Sequence, residues 1–258
     1  MAVVSFVVPC FNEEDNVAPT VETIRQVMSP PADYEVILVD DHSHDRTLQQ
    51  MQALAEVDPR IRVVHNPVNL GLGGSYKHGV ALACGTHVIM VPGDNGFPAA
   101  SIGEILRHTG QADIVIPVVT NPWSRTWFRA LASRGFTLLL NWLFWLDVGY
   151  YNGAVLHRTA LLRGIEIKTN GFAYQAEALV KLIGRGASYT HCRVPIQERD
   201  AGHSTALSLR NQITVWKTIG HLLAEVGLFR KFPLRPRRGA APSAGLPTRS
   251  SRVEDRQA

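Results

Sequence analysis

Four short clusters hold the side chains with chemistry to offer. They are Asn12-Glu13-Glu14, Asp40-Asp41-His42-Ser43, the glycine-rich run from Asn69 to Gly74, and Pro92-Gly93-Asp94-Asn95-Gly96. Each closely follows a short apolar run. Carboxylates and amides of this kind hydrogen-bond polar ligands, and a carboxylate also ligates a hard divalent cation. Glycines let a backbone approach a ligand, or let a helix lie close on a sheet. Any one cluster alone is ordinary turn chemistry. Brought to one edge of a sheet, the four make a nucleotide-type crevice.

The intervening segments have the patterns needed to bring them there. "VVSFVVP", "YEVILVDD", "IRVVHN", "THVIMVPGD" and "ADIVIPVV" are apolar, β-branched runs that predict buried strands. The segment 13–28 carries Val17, Val21, Ile24, Val27 and Met28 at helical spacing, with acids at its start where the helix dipole favours them. The segment 43–57 predicts a second helix, capped by Ser43 or Asp45. The segment 71–85 predicts a third, entered through glycines. Its "GLGGSYK" matches neither a phosphate loop nor a dinucleotide fingerprint. Strands alternating with helices predict an α/β fold with a mostly parallel sheet.

The chain has 258 residues, 45% of them hydrophobic, which suffices for one large core. Net charge is only +4, and a nucleic-acid partner is not expected. The basic residues concentrate in a Pro-, Gly- and Ser-rich tail over 230–258, expected to be disordered. Its Arg230, Lys231, Arg235, Arg237 and Arg238 suit anionic lipid headgroups, or merely solubility. Three widely spaced cysteines, Cys10, Cys84 and Cys192, fit a reduced compartment. "MAVVSFVVPCFNEED" has no basic leader region, so a strand rather than a signal peptide is expected. The expected location is cytoplasmic, with contact at the cytosolic membrane face.

"VVPCFNEEDNV", "VILVDDHSHDRT", "NLGLGGSYKHGV", the "PGDN" turn and "QERDAGHS" together resemble the family 2 glycosyltransferases of GT-A, Rossmann-like fold. Within that family the chain is most similar to the polyprenyl-phosphate glycosyltransferases. The resemblance covers about residues 3–228 and implies one GT-A domain over 1–229. It implies that Pro9, Asn12 and Glu13 touch the nucleoside and that Asp41 contacts the base. Gly74 and Lys77 would lie near the ribose and diphosphate. Asp94 matches the metal-ligating second acid of an Asp-x-Asp motif, with Mg²⁺ or Mn²⁺ as cofactor. Pro92 replaces the first acid, and the Asn95 carbonyl offers a poor second ligand. Arg199, His203 and Ser204 fill a loop over the diphosphate, with His203 where many relatives have Lys.

The second half suggests the acceptor. "WSRTWFRALASRGFTLLLNWLFWLDVG" is too short an apolar run to span a bilayer, and it predicts an amphipathic helix rich in tryptophan. Its Arg129 and Ser133 share a helix face with Arg125 one turn earlier. The resemblance implies that these hold an acceptor phosphate, for which the arginine fork is suited. An aromatic-rich core helix with solvated arginines is the plainer alternative. Glu177 falls on the family's acidic helix. It would be the general base for a hydroxyl acceptor, and would orient metal or sugar for a phosphate that arrives already anionic. The segment 209–229 predicts an amphipathic helix for membrane contact or homodimer formation. The expectation is a metal-dependent, inverting transfer of sugar from a UDP- or GDP-linked donor to a polyprenyl phosphate. Its rivals are a hydroxyl acceptor and a non-catalytic nucleotide-binding subunit.

Overall fold

The computed structural model describes residues 3–28, 33–120, 127–195 and 209–228. Arg125, Arg199, His203, Ser204 and the basic tail lie outside them. The strands are β1 (Val4–Cys10), β2 (Tyr34–Asp40), β3 (Ile61–His65), β4 (His87–Met90), β5 (Ile114–Val119), β6 (Leu156–Arg158) and β7 (Tyr189–Val194). They form one sheet in the order β3-β2-β1-β4-β6-β5-β7. All pairs are parallel except those of β6, which runs antiparallel between β4 and β5.

Helices α1 (Val17–Val27), α2 (Thr47–Val57), α3 (Gly71–Leu82), α4 (Ala99–Arg107), α5 (Trp127–Phe144), α6 (Thr159–Arg163), α7 (Tyr174–Gly184) and α8 (Leu209–Leu228) accompany the sheet. Two apolar cores result. One packs Val7, Ile37 and Val39 with Tyr76, Tyr174 and Leu179, under α3 and α7. The other packs Phe6, Val8 and Leu38 with Val21, Ile24 and Ile102, under α1 and α4. β1 and β2 are therefore buried on both faces along their whole length. That is why their sequences run apolar without alternation. Gly79 lies where a side chain would strike Val7 and Val39, so the small residue lets α3 sit directly on β1 and β2.

The expected α/β architecture is present, with differences of detail, α6 and β7 being further elements that were not predicted. α1 begins at Val17 rather than at the acids, because residues 11–16 are drawn into a turn against α2. α4 was not expected after the Pro- and Gly-rich turn. Nor was β6, whose three residues are too few to show a period. The N-cap position of α2 falls on Arg46, and Asp45 just before it accepts from Thr47 N, the first amide of the helix, at 2.9 Å.

β6 contains a titratable group with a consequence for stability. His157 is fully buried and meets Gln175 Nε2 at 2.8 Å. Burial pushes its pKa down to about 3, against about 6.5 for a free imidazole. Between those values the unfolded chain binds a proton that the native ring refuses. Stability is thus intact above about pH 6.5 and falls on acidification, by at most about 1.4 kcal/mol per pH unit. Urea unfolding followed from neutral to mildly acidic pH should show this slope. His157→Gln should flatten it above about pH 5, where ordinary carboxylates do not yet titrate.

Candidate functional site

The order of the sheet places the site. β2 and β3 lie on one side of β1, and β4 on the other, so the order in which the chain adds parallel strands reverses between β1 and β4. The loops at the carboxyl ends diverge there and leave a crevice. Asn12-Glu13-Glu14 follows β1, Asp41-His42-Ser43 follows β2, and Asp94-Asn95 follows β4. The four clusters that looked like separate turns do meet on one edge.

The loops after β1 and β2 are sewn together. Asn12 N donates to Ser43 Oγ at 3.0 Å, and Asn12 Oδ1 accepts from His44 N at 2.9 Å. Glu13 N donates to Thr47 Oγ1 at 2.8 Å, and Glu14 N donates to Asp45 Oδ2 at 3.2 Å. The Glu14 carboxylate accepts from Arg46. Asn12 takes a left-handed φ of 56°, which a short polar side chain tolerates. Asn12 therefore shapes the first turn, and the exposed Phe11 projects beside it.

Asp94 lies half-buried at the end of β4, with Oδ1 accepting from Gly96 N at 2.8 Å. Pairing with β1 continues past the strand end, through Val91 N to Val7 O at 3.0 Å and Gly93 N to Pro9 O at 3.2 Å. Pro92 stands between these two donors, at the alternate position, so its missing N–H interrupts no bond to β1. Gly93 admits no side chain, because a Cβ would strike Cys10 Sγ. The Cys10 thiol is pushed well up, first by burial and then by the negative charge of Glu13, Asp40, Asp94 and Asp45. Four carboxylates thus crowd one end of β1, a field that favours a cation. Among the described residues, no three His, Cys, Asp or Glu side chains converge as a metal cage. The arrangement fits a cation held by one carboxylate and completed by ligand oxygens, as Mg²⁺ commonly is. Asn95 is turned elsewhere: its Oδ1 accepts from Thr23 Oγ1 at 2.9 Å.

Asp41 is only 4% exposed. Its Oδ1 accepts from Leu70 N at 2.8 Å and Asn66 Nδ2 at 2.9 Å, and its Oδ2 from Gly71 N at 2.9 Å. Two orphan donors at the start of α3 are satisfied this way. Beyond Leu72, Gly73 N and Gly74 N donate to Asn170 O at 2.7 and 3.3 Å. Four amides at the start of α3, those of Leu70, Gly71, Gly73 and Gly74, thus have protein acceptors. Gly73 is small because Asn170 and Tyr174 pass over it, and Gly74 because Leu70 and Asn170 do. Lys77 Nζ donates to Ile167 O at 2.8 Å and Asn170 Oδ1 at 2.6 Å. Burial moves its pKa down, against the pull of Glu177 and Glu166. The glycine-rich segment serves close packing here.

Glu177 is neither an exposed carboxylate nor one open to a substrate. It is 3% exposed, its oxygens accepting from Lys168 N and Thr169 N at 2.9 Å each. Lys181 Nζ lies 2.8 Å away and also meets Glu225 at 3.0 Å. Burial raises the Glu177 pKa, but the bonds from Lys181, Lys168 and Thr169 outweigh it and hold the carboxyl below its usual range. A general base needs a pKa near the working pH. This arrangement does the opposite.

On α5, Ser133 is half-buried, while the side chain of Arg129 is outside the described set. Leu131, Leu138 and Trp142 are 61%, 69% and 75% exposed and share one helix face, and Trp145 just beyond is 79% exposed. Trp216 and Leu223 of α8 are also exposed. Of the described helices, none is long and apolar enough to cross a membrane.

Several structural partners had no sequence signal. Asn66 is fully buried and bonds Asp41, Ser75 and His78, and Asn170 locks α3 from a hundred residues away. A strand-end Asn and an Asn-Gly pair give no hint of such distant contacts.

An open α/β sheet with a switch-point crevice lined by carboxylates is a nucleotide-site architecture. The chain belongs to glycosyl transferase family 2, whose family model matches residues 5–164. It is similar to the uncharacterized glycosyltransferase YkcC of Bacillus subtilis, 26% identical over 56% of this chain and 45% of that protein. It is also similar to the undecaprenyl-phosphate 4-deoxy-4-formamido-L-arabinose transferase of Edwardsiella ictaluri, 26% identical over 78% of this chain and 62% of that protein. Thus the chain spans less than half the length of the first of these relatives and under two thirds of the second. Among solved structures, glucosyl-3-phosphoglycerate synthase of Mycobacterium tuberculosis in complex with UDP aligns at TM-score 0.67. That alignment is 18% identical and covers 88% of this chain and 80% of that one. The fold is that of these glycosyltransferases.

Proposed function

We propose that this chain transfers a sugar from a UDP- or GDP-linked donor to a polyprenyl phosphate, inverting the anomeric centre. The observation that carries the acceptor is the state of Glu177. The acidic residue expected as base is buried, ion-paired and acidified. An acceptor that brings its own negative charge needs no base, and a phosphate monoester is such a nucleophile at neutral pH. The Edwardsiella relative, by its name, acts on undecaprenyl phosphate.

In this reading the nucleoside lies over the ends of β1 and β2, against Pro9, Asn12 and Glu13. Asp41 contributes from below, by fixing Leu70, Gly71 and Asn66. The diphosphate faces Asp94, with Asn95 beside it. Arg199, His203 and Ser204 close over it, and Arg125, Arg129 and Ser133 hold the acceptor phosphate. An acceptor oxygen forms the new bond to C1 from the face opposite the breaking C1–O bond. The electron pair leaves on the nucleoside diphosphate. Mg²⁺ or Mn²⁺, which solved neighbours hold together with UDP, supplies charge neutralisation on that diphosphate when bound at Asp94.

The direct test is mass spectrometry of lipid extracts after incubating the protein with polyprenyl phosphate, UDP- and GDP-sugars, and Mn²⁺, Mg²⁺ or EDTA. A glycosyl-phosphoryl-polyprenol is expected. Donor consumption only with hydroxyl acceptors would displace the lipid reading. One solved neighbour, bound to phosphoglyceric acid, makes that compound a sensible control.

A membrane-bound acceptor also gives the exposed α5 face a use, since tryptophan and leucine favour the bilayer interface. The helix has Arg129 and Arg134 and no acidic residue. Co-sedimentation with anionic vesicles should fall about tenfold or more in Trp142→Ala/Trp145→Ala, each tryptophan contributing on the order of 1–2 kcal/mol. Unchanged binding would remove this face from the proposal.

A further inference from the structure

The crevice has a second side that the transfer chemistry above does not use. His65 ends β3 and pairs in register with Asp40, the last residue of β2. Its Nδ1 lies 2.7 Å from Asp40 Oδ2. The Asp40 side chain is fully buried, and its Oδ1 accepts from Ser43 N at 3.2 Å. The His65 side chain is 44% exposed. An ionised carboxylate only accepts. The geometry of this contact puts a proton on Nδ1, and in the tautomer so fixed Nε2 is an acceptor. No described residue donates to it.

The surroundings are flat and aromatic. The His42 ring lies 6.0 Å from that of His65, tilted by 32°. The His44 ring meets His42 edge-on at 5.4 Å, and Phe11 meets His44 at 6.2 Å. Rings of this kind offer faces and edges against which a planar heterocycle packs.

Position says which part of a nucleotide reaches them. Strand spacing puts β3 about 10 Å from β1, on the side away from β4 and Asp94. A nucleotide with its diphosphate at Asp94 extends its base in that direction. Asp41, the acceptor expected to meet the base, has its oxygens engaged by Leu70, Gly71 and Asn66.

We propose that His65, fixed in one tautomer by Asp40, selects the base of the donor. Nε2 accepts the ring N–H that uracil and guanine carry beside a carbonyl. Cytosine and adenine present a ring lone pair at the corresponding edge, which opposes that of Nε2. The inference rests on the nucleotide-sugar reading above and adds its specificity.

Calorimetric titration of the full chain with UDP, GDP, CDP and ADP in the presence of Mn²⁺ tests it. UDP or GDP should bind about tenfold or more tightly than CDP and ADP, the worth of one discriminating hydrogen bond. His65→Ala should reduce that ratio to about twofold or less. Asp40→Asn, by offering an amide to Nδ1, should shift the ratio toward CDP and ADP. Circular dichroism checks that each variant is folded. In the wild-type protein, ¹⁵N-correlated NMR of the histidine ring should show His65 protonated on Nδ1 and not on Nε2. This result does not depend on any variant folding. An Nε2–H tautomer, or an unchanged ratio in folded His65→Ala, overturns the proposal. If the wild type binds all four nucleotides equally, base selection fails while nucleotide binding stands. If it binds none, both readings fall.

Discussion

Asp94→Ala is expected to lower turnover by about a thousandfold, on the scale of removing one main stabiliser of transition-state charge. The substitution is informative when fold and turnover are read on the same preparation. Asp94 lies half-buried on a turn, where its Oδ1 accepts from Gly96 N at 2.8 Å, a local bond. Such a bond is worth about 1 kcal/mol. The carboxylate's larger use is electrostatic. It is one of four carboxylates whose charge bears on Cys10 at the end of β1, next to the point where the strand order reverses. The measurement pairs glycosyl transfer under saturating donor with urea unfolding of the same preparation. A thousandfold loss in a variant destabilised by only about 1 kcal/mol assigns Asp94 to the reaction. A loss below about tenfold would show that another group carries the charge of the leaving diphosphate.

Glu177 is expected to behave in the reverse way. Glu177→Ala takes one of the partners of Lys181, whose side chain is only 4% exposed and which keeps Glu225 and Glu166 O, and leaves Lys168 N and Thr169 N without their acceptor. Breaking a buried pair outright costs about 3–5 kcal/mol, and the retained Glu225 places this loss toward the lower end of that range. Much of the protein's margin would go, seen as a lower urea midpoint. Glu177→Gln keeps the shape and should leave turnover of the folded fraction within about threefold. If Glu177 were a general base, the loss would instead be about 10²–10⁴-fold. The pH dependence has a definite sign. Because the carboxyl is held below its usual range, its stabilisation is present above the ordinary carboxylate pKa. It is lost as pH falls through the folded value.

The alternation of strands and helices was legible because the central strands are buried on both faces and therefore read as continuous apolar runs. The convergence of four turns followed from parallel topology alone. What stayed hidden was non-local. "GLGGSYK" permits either ligand approach or close packing, and only the position of Asn170 and Tyr174 over Gly73 decides for packing. Glu177 on an amphipathic helix gave no sign of burial, because Lys168, Thr169 and Glu225, which enclose it, come from two other segments. β6 is three residues long, and its antiparallel place between β4 and β5 depends on partners distant in the chain. The role of Asp41 divided in the same way. Its place at a strand end was readable, while its service to the start of α3 was not.

The contact of Asn170 with α3 sets a limit on where this protein can be cut. The family match ends at residue 164, yet Asn170, which closes the first turn of α3, comes after it. So does β7, which pairs with all six residues of β5. A truncation at 164 would expose two amide donors, free the Lys77 ammonium and bare one edge of β5. The matched stretch alone thus leaves those amides, that ammonium and that strand edge without the partners they have in the full chain.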